Sequence, residues 1–561
     1  MINKITIDKK LIENSEIKDI TYVIKKAIES SNKENIYISF KKDTYIFKNK
    51  YSTQKYHFVT NNDHGIQDIA FSISDMKNIT IDGNGSLFIF EGRISPFFIE
   101  HSQNIIIKNL SIDYKRAMYT QGKIIKATNS YIHIEIDREE YPYHIEGDNH
   151  IVFSGVNYES DWCWGMLEFD SKSMAPIDNA VDYFIKDKIY GKEITKNILQ
   201  IDYPFKQICT LNNILVVKHE QRFVQAITID RSKNISLENI NVYHCGAMAV
   251  TAQFSENLDI TKFNVIKNIE KQRVVSANAD AIHCVGCKGL IKITNCIFEN
   301  QMDDALNVHG NYLLIDKIIN NNTIITKIGH FQHFGIFEYE KGAKLEISNR
   351  KTLLKEAIVT LKDKEIINNQ YIKLIFNEDY QFSENIDYCI DNLDNFPSLI
   401  FKKNVVQKNR ARGILLKTRK DVLIEDNIIN AIGAAFQICC DMNFWFESGG
   451  SNNIVIRNNT ISGKKTHTWG AALFDIKQET NSFVKDRYIQ NKITIENNTI
   501  YLNDELFIHG NSIKELNIEN NIFLTDNENI LLNSKELSMI LEHVSIKNIR
   551  NNIFKQIDIS K

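Results

Sequence analysis

The sequence has almost no net charge: 67 Lys and Arg against 70 Asp and Glu leave −3 over 561 residues. It therefore lacks a global field that would gather nucleic acid or an anionic membrane. No apolar run approaches the ~20 residues of a membrane-spanning helix, so no membrane span is expected. The opening MINKITIDKKLIENSEIKD lacks the apolar core of a secretory signal. A cytoplasmic protein is expected as the sequence stands, or an exported one if a leader was removed. Disulfide pairing is also poorly supplied. The nine cysteines are an odd number, and Cys245, Cys284, Cys296 and Cys439 lie within apolar strands, which argues for buried free thiols in a reducing compartment. CVGC at Cys284 and Cys287 has redox or zinc spacing, but no second CxxC and no nearby His pair completes it. Packing is expected there, and no cofactor.

What is present is a repeat. NITIDGNG from Asn78, NISLENINV from Asn234, NLDITKFNV from Asn257, NIVIRNNTI from Asn453, KITIENNTI from Lys492 and ELNIENNIF from Glu515 share one design. Each is a short alternating strand, an Asn-containing turn and another short strand, and two successive pairs start 23 residues apart. That period, with β-branched strands and no helical pattern, predicts an all-β chain: a right-handed parallel β-helix. The paired Asn458–Asn459, Asn497–Asn498 and Asn520–Asn521 belong at one corner, where Asn tolerates left-handed backbone and its amide can bond to the next coil. Two stretches break the repeat while still alternating with turn signals, which predicts inserted antiparallel β modules. The expected layout is an N-terminal cap and first coils over 1–115 and a barrel-like module over 116–217. Coils carrying acids over 218–312, a second module over 313–398 and final coils over 399–561 complete it. SEIKDITYVIKKAIESSN predicts a capping helix whose N-terminal Ser and Glu suggest its cap.

Strand register gives the acids their meaning. MAVTAQ, DAIHCV, DALNVH, RGILLK and AAFQIC align with Val250, Ile282, Leu306, Ile414 and Phe436 pointing into the core. Thr251, His283, Asn307, Leu415 and Gln437 then point outward, as do Gln253, Val285, His309, Lys417 and Cys439. Asp280 and Asp304 fall on successive coils about 4.8 Å apart, with Asp303 one residue earlier. Stacked like charges are destabilising and at least one such carboxyl should have a raised pKa, so Asp280, Asp303 and Asp304 are expected to be catalytic. Stacked carboxylates also chelate calcium, but Arg412 on the next coil and the missing D-x-D-G loop pattern argue against an ion, and no metal is expected. His283, Asn307, His309, Arg412 and Lys417 are candidate substrate contacts. CCDMNFWFESGG adds Asp441, Trp445 and Glu447 on a loop leaving the same face, where an indole can stack on a sugar ring and acids accept its hydroxyls. Trp162 and Trp164 alternate as in a strand and are expected to pack a core.

NADAIH, MDDALNVHG, ARGILLKTRKDVLIEDN and CDMNFWFESGG together resemble glycoside hydrolase family 110, from about residue 15 to the C-terminus. The resemblance implies a β-helix with inserted β-barrel modules and metal-independent, exo-acting hydrolysis with inversion. The implied substrates, and partners, are glycans ending in α-1,3-linked galactose, as in blood-group B structures; whether the chain forms a homo-oligomer stays open. A more distant resemblance is to family 28, the polygalacturonases. Asn278-Ala279-Asp280, Asp303-Asp304 and Arg412…Lys417 match its order of motifs, and by that likeness Asp303 is the acid while Asp280 and Asp304 hold the water. The GHG element of that family has no clear counterpart. A polygalacturonase-like hydrolase of acidic polymers and a non-catalytic glycan-binding β-helix remain the alternatives.

Overall fold

Asparagine sets the pitch of the stack. A computed structural model describes residues 2–220, 222–463, 469–502, 506–526 and 538–557. Its main feature is a 32-stranded sheet system of parallel coils, so the expected parallel β-helix is what the chain forms. The two members of each Asn pair divide the corner between them. Asn458, Asn497, Asn520 and Asn551 take positive φ and turn the chain. Their neighbours Asn459, Asn498, Asn521 and Asn552 form a ladder in which each side-chain oxygen accepts the amide of the Asn one coil before: Asn427 to Asn459 at 2.9 Å, Asn459 to Asn498 at 3.0 Å, Asn498 to Asn521 at 3.0 Å, Asn521 to Asn552 at 3.1 Å. A second, exposed ladder runs through Asn78, Asn104, Asn234 and Asn257.

The site face is a parallel sheet in which Ile94–Glu100, Ile227–Asp230, Val250–Gln253, Ile282–Val285, Leu306–Asn311, Ile414–Leu416 and Phe436–Gln437 follow one another. Its register is the one read from the alternation: Val250, Ile282, Leu306, Ile414 and Phe436 are mutual neighbours, and all five are buried in the central core. Cys284 and Cys287 lie in that core as free thiols.

Two bodies interrupt the coils without breaking them. A seven-stranded antiparallel sheet runs from Thr120–Ala127 to Ile214–Lys218, after which Ile227 pairs with Phe97. Six strands between Leu313–Asn320 and Tyr388–Asn392 close a barrel, after which Ser398 pairs with Leu290. Each has its own apolar core. Because each return strand pairs in parallel with a strand of the coils before the insertion, the stack tolerates both insertions.

Two local expectations are corrected. The N-terminal helix spans Ile20–Glu29 and is capped by Asp19, whose carboxylate accepts from the amides of Thr21 and Tyr22, so Ser15 and Glu16 are not its cap. In the strand Cys163–Phe169 it is Cys163 that is buried in the core, while Trp162 lies outside at 39 % exposure and meets Trp164 edge-on.

Candidate active site

Three coils approach closely where the acids sit, because the residues between them are small. The amide of Ala281 donates to Asp304 O at 2.9 Å and that of Ala305 to Gly413 O at 3.2 Å. A Cβ at Gly413 would lie 2.5 Å from the carbonyl of Ala435, so only glycine lets the third coil in. This brings oxygens of Asp280, Asp303 and Asp304 within 4.8 Å of one another. The face points away from the helix core as expected, yet it is not open to water: all three acids, His283, Asn307, His309 and Lys417 are buried. Loops from outside the repeat cover it.

Each acid has a distinct environment. Arg412 grips Asp304 through Nε to Oδ1 and Nη2 to Oδ2, both at 2.8 Å, and its backbone amide adds a third bond at 3.0 Å. Burial pushes the Asp304 carboxyl up to about 7; Arg412 opposes this while the charges of Asp303 and Asp280 reinforce it. Asp303 Oδ2 accepts from Arg222 Nη2 at 2.8 Å, and its Oδ1 has no hydrogen-bond partner among the described residues. Burial alone would raise Asp303, but Arg222, Arg412, Arg410 and Lys218 outweigh it and hold this carboxyl below the ordinary value. Asp280 lies 2.5 Å from His283 Nδ1. Burial and then the charge of Asp303 hold its carboxyl well above the ordinary range. Asp280 is therefore the carboxyl of the trio held most strongly in its protonated form, Asp304 comes next, and Asp303 is the one held as a carboxylate. Arg222, arriving from a loop outside the repeat, is what holds Asp303, the acid expected from the likeness to family 28, below the ordinary range.

Several expected substrate contacts are engaged with one another instead. Lys417 Nζ lies 2.5 Å from Glu447 Oε2, both buried. Glu447 Oε1 accepts from Asn61 Nδ2 at 3.1 Å. His283 Nε2 and His309 Nε2 are 3.0 Å apart. Asp441 accepts the backbone amides of Asn443, Phe444 and Trp445 at 2.6, 3.0 and 2.5 Å, so its carboxylate shapes the loop. That loop delivers the half-buried Trp445 to the site, 4.4 Å from the His330 ring and 5.4 Å from the Arg222 guanidinium. Asn307 is buried, and its Oδ1 has no hydrogen-bond partner among the described residues. Arg412 stays available in part: Nη1 bonds Gln437 at 2.8 Å, and the side chain keeps 19 % exposure.

Reading the repeat missed a further group. Arg222, Asn61, His330 and His333 come from non-repeating loops, with His333 Nε2 2.9 Å from Asn61 Oδ1. Arg410 binds Asp182 of the first inserted module at 2.6 Å, and the Trp469 ring lies 4.7 Å from Arg410 and 5.5 Å from Arg412. Lys218, at the end of that module, is buried and pushed down to about 7 by desolvation and by Arg410. The one available signal was position, since Lys218 and Arg222 flank the return from the insertion to the coils.

The trio is geometrically able to gather a cation. Both oxygens of Asp304 and one of Asp303, however, are bonded to Arg412 and Arg222, an arrangement for holding charge and moving protons. A parallel β-helix with a buried trio of carboxyls, flanked by a half-buried indole, is the apparatus of an acid/base glycan-processing enzyme.

Comparison with known proteins narrows this class. Residues 120–215 match the GLAA-B beta-barrel domain I family. The chain is 30 % identical to an alpha-1,3-galactosidase A of Shewanella woodyi over 453 residues, 80 % of this chain and 74 % of that protein. It is 28 % identical to an alpha-1,3-galactosidase B of Bacteroides thetaiotaomicron, over 90 % of this chain and 83 % of that one. The chain belongs to the α-1,3-galactosidase family, glycoside hydrolase family 110.

Proposed function

We propose that the protein hydrolyses terminal α-1,3-linked galactose from oligosaccharides or glycoconjugates, blood-group B type chains among them, with inversion at the anomeric carbon. The observation that carries this reading is the buried Asp280–Asp303–Asp304 cluster in a chain of this family. The reaction needs a protonated carboxyl for the departing oxygen and a carboxylate for the water. Asp304, kept as an acceptor by three donors from Arg412, activates the water. The proton held on Asp280 passes to the unpartnered Oδ1 of Asp303, which delivers it to the glycosidic oxygen as that oxygen's bond to the anomeric carbon breaks. Asn307 Oδ1 accepts a sugar hydroxyl, and Trp445 stacks on the apolar face of the galactose.

The distance between carboxyls does not decide the stereochemistry. Inverting pairs stand ~6.5–9.5 Å apart and retaining pairs ~5–5.5 Å, whereas oxygens of this trio lie within 4.8 Å. The diagonal position of Asp303 does not widen the gap. What supports inversion besides the family is the grip on Asp304. To attack carbon it would have to leave a buried bidentate pair, a loss of about 3–5 kcal/mol. Taking a proton from water needs no such departure.

A uronate-binding role needs free cations, and Arg412 and Lys417 are held by Asp304 and Glu447. The test is a panel of terminal α-galactosides differing in linkage and in neighbouring fucose, scored for free galactose, with polygalacturonate alongside. Galactose from α-1,3-linked substrates is the expected result. Reducing ends from polygalacturonate, or galactoside binding without turnover that an Asp304→Asn protein retains, would overturn the reading.

A further inference from the structure

Two buried histidines beside the trio have no task in the scheme above. The carbonyl of Gly310 can only accept, so His309 Nδ1, 2.7 Å away, carries a hydrogen. A neutral imidazole has one N–H, so His309 Nε2 offers a lone pair. His283 Nε2, 3.0 Å from it, must then be the donor. That leaves His283 Nδ1 with a lone pair facing Asp280 Oδ2 at 2.5 Å, and two acceptors approach this closely only with a proton between them. A single backbone carbonyl thus sets the polarity of a four-member chain.

We propose that His283 and His309 are positioning residues that, anchored by the Gly310 carbonyl, keep a proton on Asp280 and so define the acid form of the site. The inference deepens the acid/base reading of this cluster and rests on it. The surroundings agree. Burial pushes both imidazoles down to about 4, so neither takes the proton at neutral pH. Asp303, Asp304, Glu447, Arg222 and Arg412 face the Asp280 end. Glu447, Lys417 and His333 face the His309 end, where Glu447 is already paired with Lys417 and His333 is kept neutral by burial. Arg222 is bonded to Asp303 and Arg412 to both oxygens of Asp304, whereas the side chain bonded to Asp280 is the neutral imidazole of His283, so Asp280 is the carboxyl placed to bear the proton.

Neutron diffraction from deuterium-exchanged crystals of the wild-type protein near neutral pD reads the chain directly and needs no substrate. Deuterium on Asp280 Oδ2, His283 Nε2 and His309 Nδ1, with His283 Nδ1 and His309 Nε2 bare, is expected. Deuterium on His283 Nδ1 with Asp280 bare would overturn the proposal even if the galactosidase reading stands. The kinetic counterpart uses His309→Gln, whose amide oxygen can still accept from His283, and His309→Phe, which cannot. The alkaline limb of kcat/KM should stay in place in the first and move down by about one pH unit, the equivalent of one hydrogen bond, in the second. If kcat fell in both variants with the limb unmoved, the histidines would be merely structural and the proposal would fail.

Discussion

Replacing Arg412 by Met keeps the aliphatic stem and removes the charge. Asp304 would lose both 2.8 Å bonds and keep only the backbone amide of residue 412. Stripping one partner from a buried ion pair costs about 3–5 kcal/mol when the other charge stays. Asp304, already at about 7, escapes part of that cost by taking up a proton, so its carboxyl shifts further upward. The sign follows from linkage. A carboxyl whose folded pKa lies above its unfolded value binds more protons in the folded state, so stability falls as pH rises between the two values. The variant should therefore lose about 3–5 kcal/mol at pH 8 and distinctly less at pH 5, where Asp304 is protonated with or without Arg412. At pH 7 Asp304 would be protonated and the site would lack its base, lowering kcat on the order of 10²-fold or more. Denaturant unfolding at both pH values and steady-state kinetics read the two effects. A pH-independent stability loss, or near wild-type turnover, would refute the role given to this pair.

Asp303→Asn and Asp304→Asn should each lower kcat on the order of 10²-fold or more with the fold retained but less stable, since Arg222 or Arg412 loses its carboxylate partner while repulsion within the trio is relieved; turnover and far-UV circular dichroism check this. Trp445→Ala should weaken substrate binding by about 1–3 kcal/mol, seen as a raised KM; a lower melting temperature with KM unchanged would reduce Trp445 to loop packing. Asn459→Ala should cost about 3 kcal/mol, because Asn427 loses the acceptor of both its backbone and side-chain amides and buried unpaired donors cost ~1–3 kcal/mol each. The exposed Asn257→Ala should cost less than half as much in the same unfolding experiment.

The parts of the molecule that repeat are the parts a reader of the sequence can place. Alternation fixes which side chains of a coil face the core, and a one-residue slip would expose all of them, so Ile282, Leu306 and Ile414 declared the stacking of Asp280 on Asp304. The Asn corners were legible for the same reason, though not their division into a turning and a bonding residue. Arg222, Asn61, His330 and His333 lie on loops with no period, and nothing in a strand pattern says where such a loop lands. Their absence from the reading had a consequence, because the protonation of the trio depends on Arg222. Lys417 and Glu447 were legible as residues of the face but not as partners. That pairing depends on how the loop holding Glu447 folds back, which the Asp441 carboxylate settles through three backbone amides. The helix cap went to Asp19 because an N-cap must lie directly before the first helical residue to reach the free amides, and Ser15 is too far upstream.

The central claim is that water, activated by Asp304, displaces the leaving group in one step. Proton NMR of an α-1,3-linked galactoside in the first minutes of hydrolysis tests it most directly. β-Galactose should rise first, with the α-anomer following only by mutarotation. If α-galactose rose first, or a galactosyl adduct were trapped on Asp280, Asp303 or Asp304, one of these carboxylates would be a nucleophile and the account would be contradicted.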